Sequence, residues 1–443
     1  MPDYDVAVIG SGTAAQNVVP RCAQAGLRVA VVDRLPYGGT CAQRGCDPKK
    51  VLLGAAEAVS RARMLAGKGI SGAPALDWPA LIARKRTFTK PVPERIEGWF
   101  TGAGAAVMHG TARLLGAHEL EVDGRAFGAA DVVVATGARP VPLDIPGEEL
   151  VTTSDRFLEL DALPPRVAFI GGGYISFEFA WLSRMAGAAV TILHRSARVL
   201  KGFDETLAGQ LVERYRSLGI GVLTDAPVRE VVRRGGELVV VHETGELTVD
   251  LVVHGAGRVA DLVDLGLEDA GIAAGRRGVR VDERLRSVSD TRVWAAGDAA
   301  DKGLPLTPVA SKEGKVVAAG ILGEDAAYDG RAVPSVCFSD PPLAAVGMSA
   351  AEAAHRGDAV KVVRADASEW FSQRRLGQTH AGMAMVTDAA SGRLLGGHLL
   401  GVNADEVVNV LALAIRHGLT TGDLDAMTWS YPTATSDLPY VLG

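Results

Sequence analysis

The chain has few cysteines, no long uncharged apolar run and no concentration of positive charge. Four cysteines in 443 residues are too few for the disulfide framework of a small secreted protein. The apolar stretches fall short of the ~18 uncharged residues that a membrane span requires, and a net charge of −6 argues against a nucleic-acid-binding surface. The sequence starts directly on a predicted strand, without a secretory-signal pattern. We therefore expect a cytoplasmic protein that binds neither membrane nor nucleic acid.

What the sequence does contain is a repeat on the scale of a domain. The segments DVAVIGSGTAAQNVVPRCAQAGLRVAVVDR (5–34) and RVAFIGGGYISFEFAWLSRMAGAAVTILHR (166–195) share the order strand, glycine turn, helix, strand. Each has a glycine before its second strand, Gly26 and Gly187. This pattern predicts an α/β protein with two doubly wound, Rossmann-like dinucleotide-binding domains.

The pattern changes after about Pro334. The segment GMAMVTDAASGRLLGGHLLG (382–401) predicts two strands joined by a turn at Ser391 and Gly392. It is followed by ADEVVNVLALAIRHG (404–418), which predicts an amphipathic helix. We therefore predict a third, C-terminal α+β domain.

Gly10, Gly12 and Ala15 form a G-x-G-x-x-A motif between the first strand and the first helix. The first glycine allows a tight turn, the second lets the backbone approach a pyrophosphate, and the small third residue lets helix and strand pack closely. Asp33 ends the second strand, where a carboxylate would bind a ribose 2′-hydroxyl. Pro20 falls inside the helix and is expected to kink or shorten it.

The second copy has Gly171, Gly173 and Ser176 in the corresponding motif, but no acidic residue ends its second strand. We place Arg195 at that point, with Arg198 and Lys201 close behind. Cations there suit a 2′-phosphate. The second domain is therefore predicted to bind NADPH in preference to NADH.

Cys41 and Cys46 are separated by four residues in GGTCAQRGCDPKK (38–50). In the cytoplasm, a close cysteine pair is typical of redox chemistry or metal binding. A zinc site needs about four ligands, and no second cysteine pair or histidine cluster is visible, so no metal site is predicted. The spacing favours both sulfurs at one helix start, where the helix dipole stabilises thiolate. Cys22 and Cys337 are expected to be small buried apolar residues.

Six motifs, in order, resemble those of the flavoprotein disulfide reductases, which include glutathione reductase, dihydrolipoamide dehydrogenase and mercuric reductase. Besides the first glycine motif and the cysteine segment, they are VVVATGARP (132–140), VWAAGDAA (293–300), LTPVASKEGKVVA (306–318) and VPSVCFSDPPLAAVG (333–347). The resemblance extends over nearly the whole chain.

This resemblance implies FAD on the first domain, NADPH on the second, and a C-terminal domain that pairs two subunits. The implied division is 1–149 (first part of the FAD domain), 150–262 (NAD(P)H domain), 263–331 (second part of the FAD domain) and 332–443 (dimerisation domain). It also implies a homodimer with shared active sites, each completed by the partner's C-terminal region, and a small-molecule electron acceptor.

The family pattern assigns roles to individual residues. Hydride would pass from NADPH to the flavin, and an electron pair from there to a Cys41–Cys46 disulfide. Cys46 would be the charge-transfer thiol facing the flavin, and Cys41 the interchange thiol that attacks the substrate. Lys49 and Glu178 correspond to a buried ion pair near flavin N5, where a cation stabilises the reduced flavin. Tyr174 corresponds to the tyrosine that covers the flavin until nicotinamide binds.

Other residues of these motifs are predicted to contact the cofactors, among them Asp298, which would hold the ribitol of FAD. The remaining members of this set are Thr40, Thr136, Gly137, Gly297 and Thr307, and Gly257, outside these motifs, is also predicted to contact a cofactor.

The chain departs from the family pattern near its end. Disulfide reductases have a His-Pro-Thr segment with a carboxylate a few residues later, and that histidine transfers protons. Here SYPTATSD (430–437) has Tyr431 in place of the histidine and Ser436 at the usual glutamate position, followed by Asp437. Tyrosine, with an ordinary pKa near ~10, is a poor general base at neutral pH. Tyr431 could still donate a proton or bind a soft metal ion.

Several functions remain open on the sequence alone. The leading interpretation is an NADPH-dependent FAD oxidoreductase acting on a disulfide or another two-electron acceptor. Alternatives are reduction of a soft metal ion or a quinone, the family's carbon–sulfur-cleaving carboxylase branch, and a redox sensor without turnover. Glutathione disulfide is a doubtful substrate, because Pro20 occupies the position of the family's glutathione-binding arginine.

Overall fold

The computed structural model describes residues 1–72 and 74–442. The chain up to residue 141 forms β1 (Tyr4–Ile9), α1 (Thr13–Gln24), β2 (Val29–Asp33), α2 (Gly39–Arg44), α3 (Cys46–Met64), α4 (Trp78–Thr89), α5 (Val92–Gly102), β3 (Ala106–His109), β4 (Ala112–Gly116), β5 (Glu119–Val122), β6 (Arg125–Val134) and β7 (Ala138–Pro140).

The middle of the chain forms β8 (Thr152–Thr153), α6 (Ser154–Phe157), β9 (Arg166–Ile170), α7 (Tyr174–Met185), β10 (Ala189–Leu193), α8 (Glu205–Ser217), β11 (Ile220–Leu223), β12 (Val228–Arg234), β13 (Glu237–His242), β14 (Gly245–Val249), β15 (Leu251–His254) and β16 (Arg258–Ala260).

The last part forms β17 (Ala274–Gly275), β18 (Gly278–Val279), β19 (Val293–Ala295), α9 (Thr307–Ile321), β20 (Ser335–Cys337), β21 (Leu343–Gly347), α10 (Ala350–Ala354), β22 (Val360–Asp366), α11 (Phe371–Arg374), β23 (Gly382–Asp388), β24 (Leu394–Leu400), α12 (Ala404–His417), α13 (Thr421–Asp425) and α14 (Pro439–Leu442). Short 3-10 turns lie at Glu148–Leu150, Gly297–Ala299, Gly357–Ala359 and Thr435–Asp437.

The chain divides into two compact units by its internal contacts. Unit 1 comprises Met1–Lys50, Ala83–Val141 and Arg258–Gly330, and unit 2 comprises Val51–Ile82, Pro142–Gly257 and Arg331–Gly443. The predicted C-terminal domain and residues 150–257 of the predicted second domain thus belong to unit 2, whereas residues 258–262 belong to unit 1. The finer division at residues 149, 262 and 331 stays a prediction.

Unit 1 is built on the sheet β3-β2-β1-β6-β5-β4, with β19 also paired to β6. β3, β2, β1, β6 and β19 are parallel, whereas β4 and β5 form an antiparallel extension. Alternate residues of β1 point to opposite faces: Val6 and Val8 pack under α1, α5 and α9, while Ala7 and Ile9 join the core on the other face. Because both faces are covered, the central strands are apolar throughout.

Unit 2 contains a second parallel sheet, β11-β10-β9-β15-β8, and an antiparallel sheet, β20-β21-β24-β23-β22. α12 packs on the antiparallel sheet through its buried stripe, which includes Val407, Val408 and Leu411. The predicted turn joins β23 to β24, and the predicted amphipathic helix is α12. The fold class is thereby confirmed: two Rossmann-like repeats and a C-terminal α+β part.

Pro20 does not shorten the first helix. α1 continues through Pro20 and has 12 residues, the same length as α7 in the second copy. A proline at this depth removes one helical hydrogen bond. α1 nevertheless packs closely on α9, since a Cβ on Gly314 would lie 2.4 Å from the Ala14 carbonyl oxygen. The prediction of a shortened helix is therefore wrong.

Candidate functional site

The first glycine loop lies at the carboxyl end of β1. Gly10 has a φ of +106°, and a Cβ there would lie 2.3 Å from the Ala135 carbonyl oxygen, so both the turn and the neighbouring strand require glycine. Asp33, at the end of β2, accepts hydrogen bonds from the Ser11 amide (2.9 Å) and hydroxyl (2.6 Å). These bonds fix the Asp33 carboxylate beside the loop.

Gly12 brings the cysteine segment to this loop. A Cβ on Gly39, whose φ is +71°, would lie 2.5 Å from the Gly12 Cα, whereas a Cβ on Gly12 would have its nearest neighbour at 3.7 Å. The protein itself therefore leaves room for a side chain at Gly12. A bare backbone at that place fits the close approach of a pyrophosphate.

A second group of predicted FAD residues lies in the same unit. Thr136 follows β6, and among the described residues its buried Oγ1 has no hydrogen-bond partner. Burial raises the pKa of Asp298, and the Arg258 charge opposes that shift. A buried hydroxyl that lacks a protein partner and a carboxyl held in a dry site both suit the polar groups of a bound FAD. Ala15 is fully buried in α1, and Gly137 and Gly297 have positive φ.

The two cysteines lie on different helices. Cys41 is in α2, whereas Cys46 is the first residue of α3, and the helices are separated at Gly45. The expectation that both sulfurs share one helix start is therefore wrong. A Cβ on Gly45 would lie 2.9 Å from the Thr40 carbonyl oxygen, so the close packing of the two short segments requires glycine. The helix dipole of α3 acts on Cys46 directly.

The two thiols differ in their electrostatics. A hydrogen bond from Cys41, the hydroxyl of Thr307 and the charge of Lys49 lower the pKa of Cys46 to about 6. The Thr307 Oγ1 lies 3.6 Å from the Cys46 sulfur. The same pairing, together with burial, raises the pKa of Cys41 well above its ordinary value. The pairing therefore favours the thiolate on Cys46 and the proton on Cys41.

Glu178 and Tyr174 are both on α7 in unit 2. Glu178 is 1% exposed, and its Oε1 accepts the Phe338 amide at 2.8 Å. Tyr174, the first residue of the helix, is 40% exposed. Lys49 is in the first turn of α3 and is half-buried. An ion pair of Lys49 with Glu178 stays a prediction.

The second glycine loop repeats the first in shape. Gly171 has a φ of +113°, and a Cβ there would lie 2.4 Å from the Gly255 carbonyl oxygen. Among the described residues, the one atom within 4 Å of a Cβ on Gly173 would be the same oxygen, at 3.8 Å. As at Gly12, the open space at Gly173 suits a bound pyrophosphate. Ser176 is fully buried at the start of α7, and Gly257, φ +113°, follows β15.

The strand register identifies the counterpart of Asp33. Ile9 pairs with Val32 in the first copy, and Ile170 pairs with Leu193 in the second. The residue after Leu193, His194, therefore stands at the position of Asp33, and Arg195 is one residue further on. The placement of Arg195 at that point was wrong by one residue. Arg195 and Lys201 are exposed, while Arg198 is half-buried and donates to the Phe203 carbonyl at 2.9 Å.

Tyr431 is 76% exposed and lines a cavity of about 310 Å³. Ser436 does not act like the usual glutamate, because its hydroxyl donates to the Thr433 carbonyl at 2.7 Å within a tight turn. Asp437 lines the same cavity and accepts a short hydrogen bond from Ser372. Burial raises the pKa of Asp437.

Several residues of these sites gave no usable signal in the sequence. Ser11 lies between two glycines, and only the fold shows that its hydroxyl holds Asp33. Glu313 appears in a charged stretch, yet it is 1% exposed and accepts the Gly297 amide at 2.7 Å. Burial raises its pKa to about 7. A strand-by-strand alignment of the two repeats could have found His194.

Within residues 1–72 and 74–442, no helix is both long and apolar enough to cross a membrane. The same residues contain no group of three or more His, Cys, Asp or Glu side chains placed to bind a metal ion.

Comparison with known proteins decides the family. Residues 4–314 match the pyridine nucleotide-disulphide oxidoreductases, and residues 333–440 match the dimerisation domain of that family. The chain is a pyridine nucleotide-disulphide oxidoreductase. It is accordingly an FAD-dependent enzyme that uses NAD(P)H, and its dimerisation domain supports a homodimer. The sequence-based family, cofactors and enzyme class are confirmed.

Relatives in this family have different substrates. The chain is 33% identical to a glutathione reductase of Burkholderia cepacia over 98% of its own length and 97% of the relative's. It is 33% identical to a dihydrolipoyl dehydrogenase of Thermus scotoductus, covering 99% and 96%. A mercuric reductase of Staphylococcus aureus is 30% identical, with 98% and 81% covered.

Solved structures show the same fold. The HOCl-induced flavoprotein disulfide reductase RclA of Escherichia coli matches with a TM-score of 0.89 and 28% identity, over 99% of both chains. A Cu(II) complex of RclA matches with a TM-score of 0.89 and 28% identity, over 98% of this chain and 99% of that one.

Proposed function

We propose that this enzyme uses NADPH to reduce a Cys41–Cys46 disulfide, and that the resulting dithiol reduces a disulfide or another two-electron acceptor. The observation that carries the proposal is the opposite shift in the pKa values of the two thiols. Cys46, beside Thr307 and Lys49, forms a thiolate more readily than an ordinary cysteine, whereas Cys41 next to it keeps its proton more strongly. When bound, FAD accepts hydride from the nicotinamide and supplies two electrons to the disulfide.

Cys46 would stay next to the flavin as the thiolate, and Lys49 would hold that negative charge. Cys41 would attack one sulfur of a substrate disulfide, releasing the other as a thiol and leaving a mixed disulfide on Cys41. Cys46 would then attack the Cys41 sulfur, which releases the second substrate thiol and restores the Cys41–Cys46 disulfide. Overall, NADPH, one proton and one disulfide give NADP⁺ and two thiols.

Deprotonation of Cys41 is the difficult step of this scheme. The hydrogen bond with Cys46, burial and the negative charge on Cys46 keep the pKa of Cys41 high. In the proposed homodimer, the partner subunit's Tyr431 would complete each active site. A tyrosine hydroxyl can donate a proton to a leaving thiolate but is a poor base. We therefore favour acceptors whose reduction needs little proton transfer.

A soft metal ion is the second candidate acceptor. The Cu(II) complexes of RclA, including one of a Cys-to-Ser mutant that is 27% identical to this chain, support it. Thiolates are soft ligands, and oxidation of one dithiol to a disulfide would reduce two Cu(II) to two Cu(I). We place the enzyme in the cytoplasm, where reduced thiols persist.

An acceptor screen tests these proposals. NADPH oxidation is followed with disulfides, Hg(II), Cu(II), quinones and O2, using wild type, Cys41→Ser and Tyr431→His. We expect Cys41→Ser to lose at least ~100-fold in kcat/KM on the best acceptor, because its hydroxyl is a far weaker nucleophile at neutral pH. Full activity of Cys41→Ser would contradict dithiol chemistry.

Tyr431→His separates the two acceptor classes. If the tyrosine limits disulfide turnover, a histidine in its place should raise kcat/KM for disulfides by about 10²-fold or more, the usual contribution of a general acid–base. Metal-ion reduction should change little. Fast flavin reduction with no acceptor supporting turnover would instead indicate a redox sensor.

A further inference from the structure

His194 occupies the position at which the first copy has Asp33, directly after β10. Its backbone is fixed at the carboxyl edge of the sheet, since its amide donates to the Leu223 carbonyl at 2.8 Å and its carbonyl accepts the Ala226 amide at 2.9 Å. The side chain is half-buried and is not directed freely into solvent. This residue therefore has a defined place between the glycine loop and the basic loop 195–201.

The imidazole packs on the glycine loop. A Cβ on Gly172 would lie 2.7 Å from Cγ of the His194 ring and 2.9 Å from Nδ1. The middle residue of the Gly171–Gly173 turn must therefore be glycine because the His194 ring takes the space. In the first copy the corresponding two residues are Ser11 and Asp33, and these are also in contact.

The other side of the ring holds the basic loop. His194 Nε2 lies 3.0 Å from the Arg198 carbonyl oxygen and 3.0 Å from the Ser196 hydroxyl. A carbonyl can only accept, so Nε2 carries the hydrogen and donates it. Burial, followed by the charges of Lys201 and Arg195, lowers the pKa of His194, while the Arg198 carbonyl and Asp225 oppose the shift. The neutral ring is thus the form that fits this loop.

The basic loop returns to the same glycine. The Leu200 amide donates to the Gly172 carbonyl at 2.8 Å, and Leu200 adopts a φ of +48°, a conformation uncommon for a leucine. His194 and Leu200 therefore both contact Gly172, and each is followed directly by an exposed cation, Arg195 and Lys201. The contacts of His194 and Leu200 with Gly172 tie both ends of the basic loop to the glycine turn, which holds Arg195 and Lys201 beside that turn.

We propose that His194 is a positioning residue for coenzyme choice, which ties the basic loop to the glycine loop so that Arg195 and Lys201 meet the 2′-phosphate of NADPH together. This inference rests on the proposed use of NADPH. His194 itself need not touch the phosphate. Its contribution is to order, before binding, a loop that would otherwise be ordered at the expense of binding free energy.

Calorimetric titration of the FAD-loaded enzyme with adenosine 2′,5′-bisphosphate and with 5′-AMP tests this role without turnover. Wild type should prefer the bisphosphate. His194→Phe keeps a ring against Gly172 but lacks the Nε2 donor, and we expect about tenfold weaker bisphosphate binding, with AMP binding within about twofold. His194→Gln, whose amide can replace that donor, should restore most of the preference.

Arg229→Ala is the matched control for a lost side chain in the same unit. Arg229, on β12, is an exposed cation that pairs with Glu243 in the turn between β13 and β14, and among the described residues it has no hydrogen bond or ion pair with the basic loop. The Arg229→Ala substitution should leave the affinities for adenosine 2′,5′-bisphosphate and for 5′-AMP unchanged. Flavin content and Tm show whether each variant is folded.

Two results would overturn the inference, and they differ from each other. If wild type prefers the bisphosphate but His194→Phe has the same preference, or loses both ligands equally, His194 does not position the cations. If wild type binds both nucleotides equally, the proposed use of NADPH is itself wrong. Neither result decides whether a coenzyme reduces the Cys41–Cys46 pair, because that reduction is measured in a separate experiment.

Discussion

The two glycine loops have nearly the same backbone but hold different partners. Gly10 and Gly171 share a positive φ and the same clash with a neighbouring strand-end carbonyl. At the next position, Ser11 fixes a carboxylate, Asp33, whereas Gly172 makes room for the His194 ring. The same loop backbone therefore occurs twice, and we propose that the residue after the second strand of each repeat determines which ribose is bound.

The two loops also differ in what lies against their second glycines, Gly12 and Gly173. In the first loop, the second glycine carries the cysteine segment: Gly39 contacts Gly12 and leads into α2 with Cys41. In the second loop, the nearest atom that the described part of the chain would place against a Cβ on Gly173 is the Gly255 carbonyl oxygen, at 3.8 Å. The cysteine pair is thus built against the loop predicted to bind FAD.

The largest expected effects come from the first glycine of each loop. An alanine at Gly10 or Gly171 would place its Cβ 2.3 or 2.4 Å from a carbonyl oxygen. We expect Gly10→Ala to lose FAD, and Gly171→Ala to retain FAD but lose NADPH-dependent flavin reduction. The flavin-to-protein absorbance ratio and anaerobic flavin reduction measure the two losses. Loss of FAD from Gly171→Ala alone would show that the loops are assigned in the wrong order.

A smaller, more selective effect is expected at the second glycines. Gly12 and Gly173 have room for a methyl group within the protein. Gly12→Ala and Gly173→Ala should therefore fold with a Tm near wild type, while binding of FAD or of NADPH, respectively, weakens by about tenfold or more. Dissociation constants and apoprotein Tm are the measurements. A large fall in apoprotein Tm would mean that these glycines serve the fold rather than the ligand.

The smallest effect is a shift in pH dependence at the cysteine pair. With a pKa of about 6, lowered first by Cys41 and then by Thr307 and Lys49, Cys46 is a thiolate above about pH 6 and a thiol below it. The long-wavelength absorbance between this thiolate and the flavin should therefore appear as pH rises through about 6. Thr307→Val should move the midpoint upward by up to about one pH unit.

Thr101→Val serves as the control, because the Thr101 hydroxyl donates to the Glu97 carbonyl on α5, away from the cysteines. Its midpoint should match wild type. An absorbance band that persists to pH 4, or that survives in Cys46→Ser, would contradict the assignment of the thiolate to Cys46.

Much of the fold followed from local sequence. The strand, glycine turn and helix of each repeat are encoded within about 30 residues, so Gly10, Gly171 and the helices after them could be located. The β23–β24 turn and α12 were equally local. Local sequence does not determine how α1 accommodates Pro20, because the helix also packs on α9, a segment almost 300 residues away in the sequence.

The sequence predicts the type of site but not the contacts that build it. His194 was missed because strand register, rather than residue type, aligns the two repeats. The separation of Cys41 and Cys46 onto two helices depends on Gly45, whose conformation the C-x4-C spacing does not specify. Ser11 and Glu313 act through contacts made only after folding. Tyr431 is predicted to act on the partner subunit, so its role depends on an interface that one chain does not define.

The central claim is that Cys41 and Cys46 carry the electrons. It is tested most directly by reducing the enzyme anaerobically with one equivalent of NADPH, alkylating it, and locating the label by mass spectrometry. We predict that NADPH converts Cys41 and Cys46 from a disulfide to two alkylated thiols, while Cys22 and Cys337, both buried, stay unchanged. Flavin reduction with no new label on Cys41 and Cys46 would contradict the account.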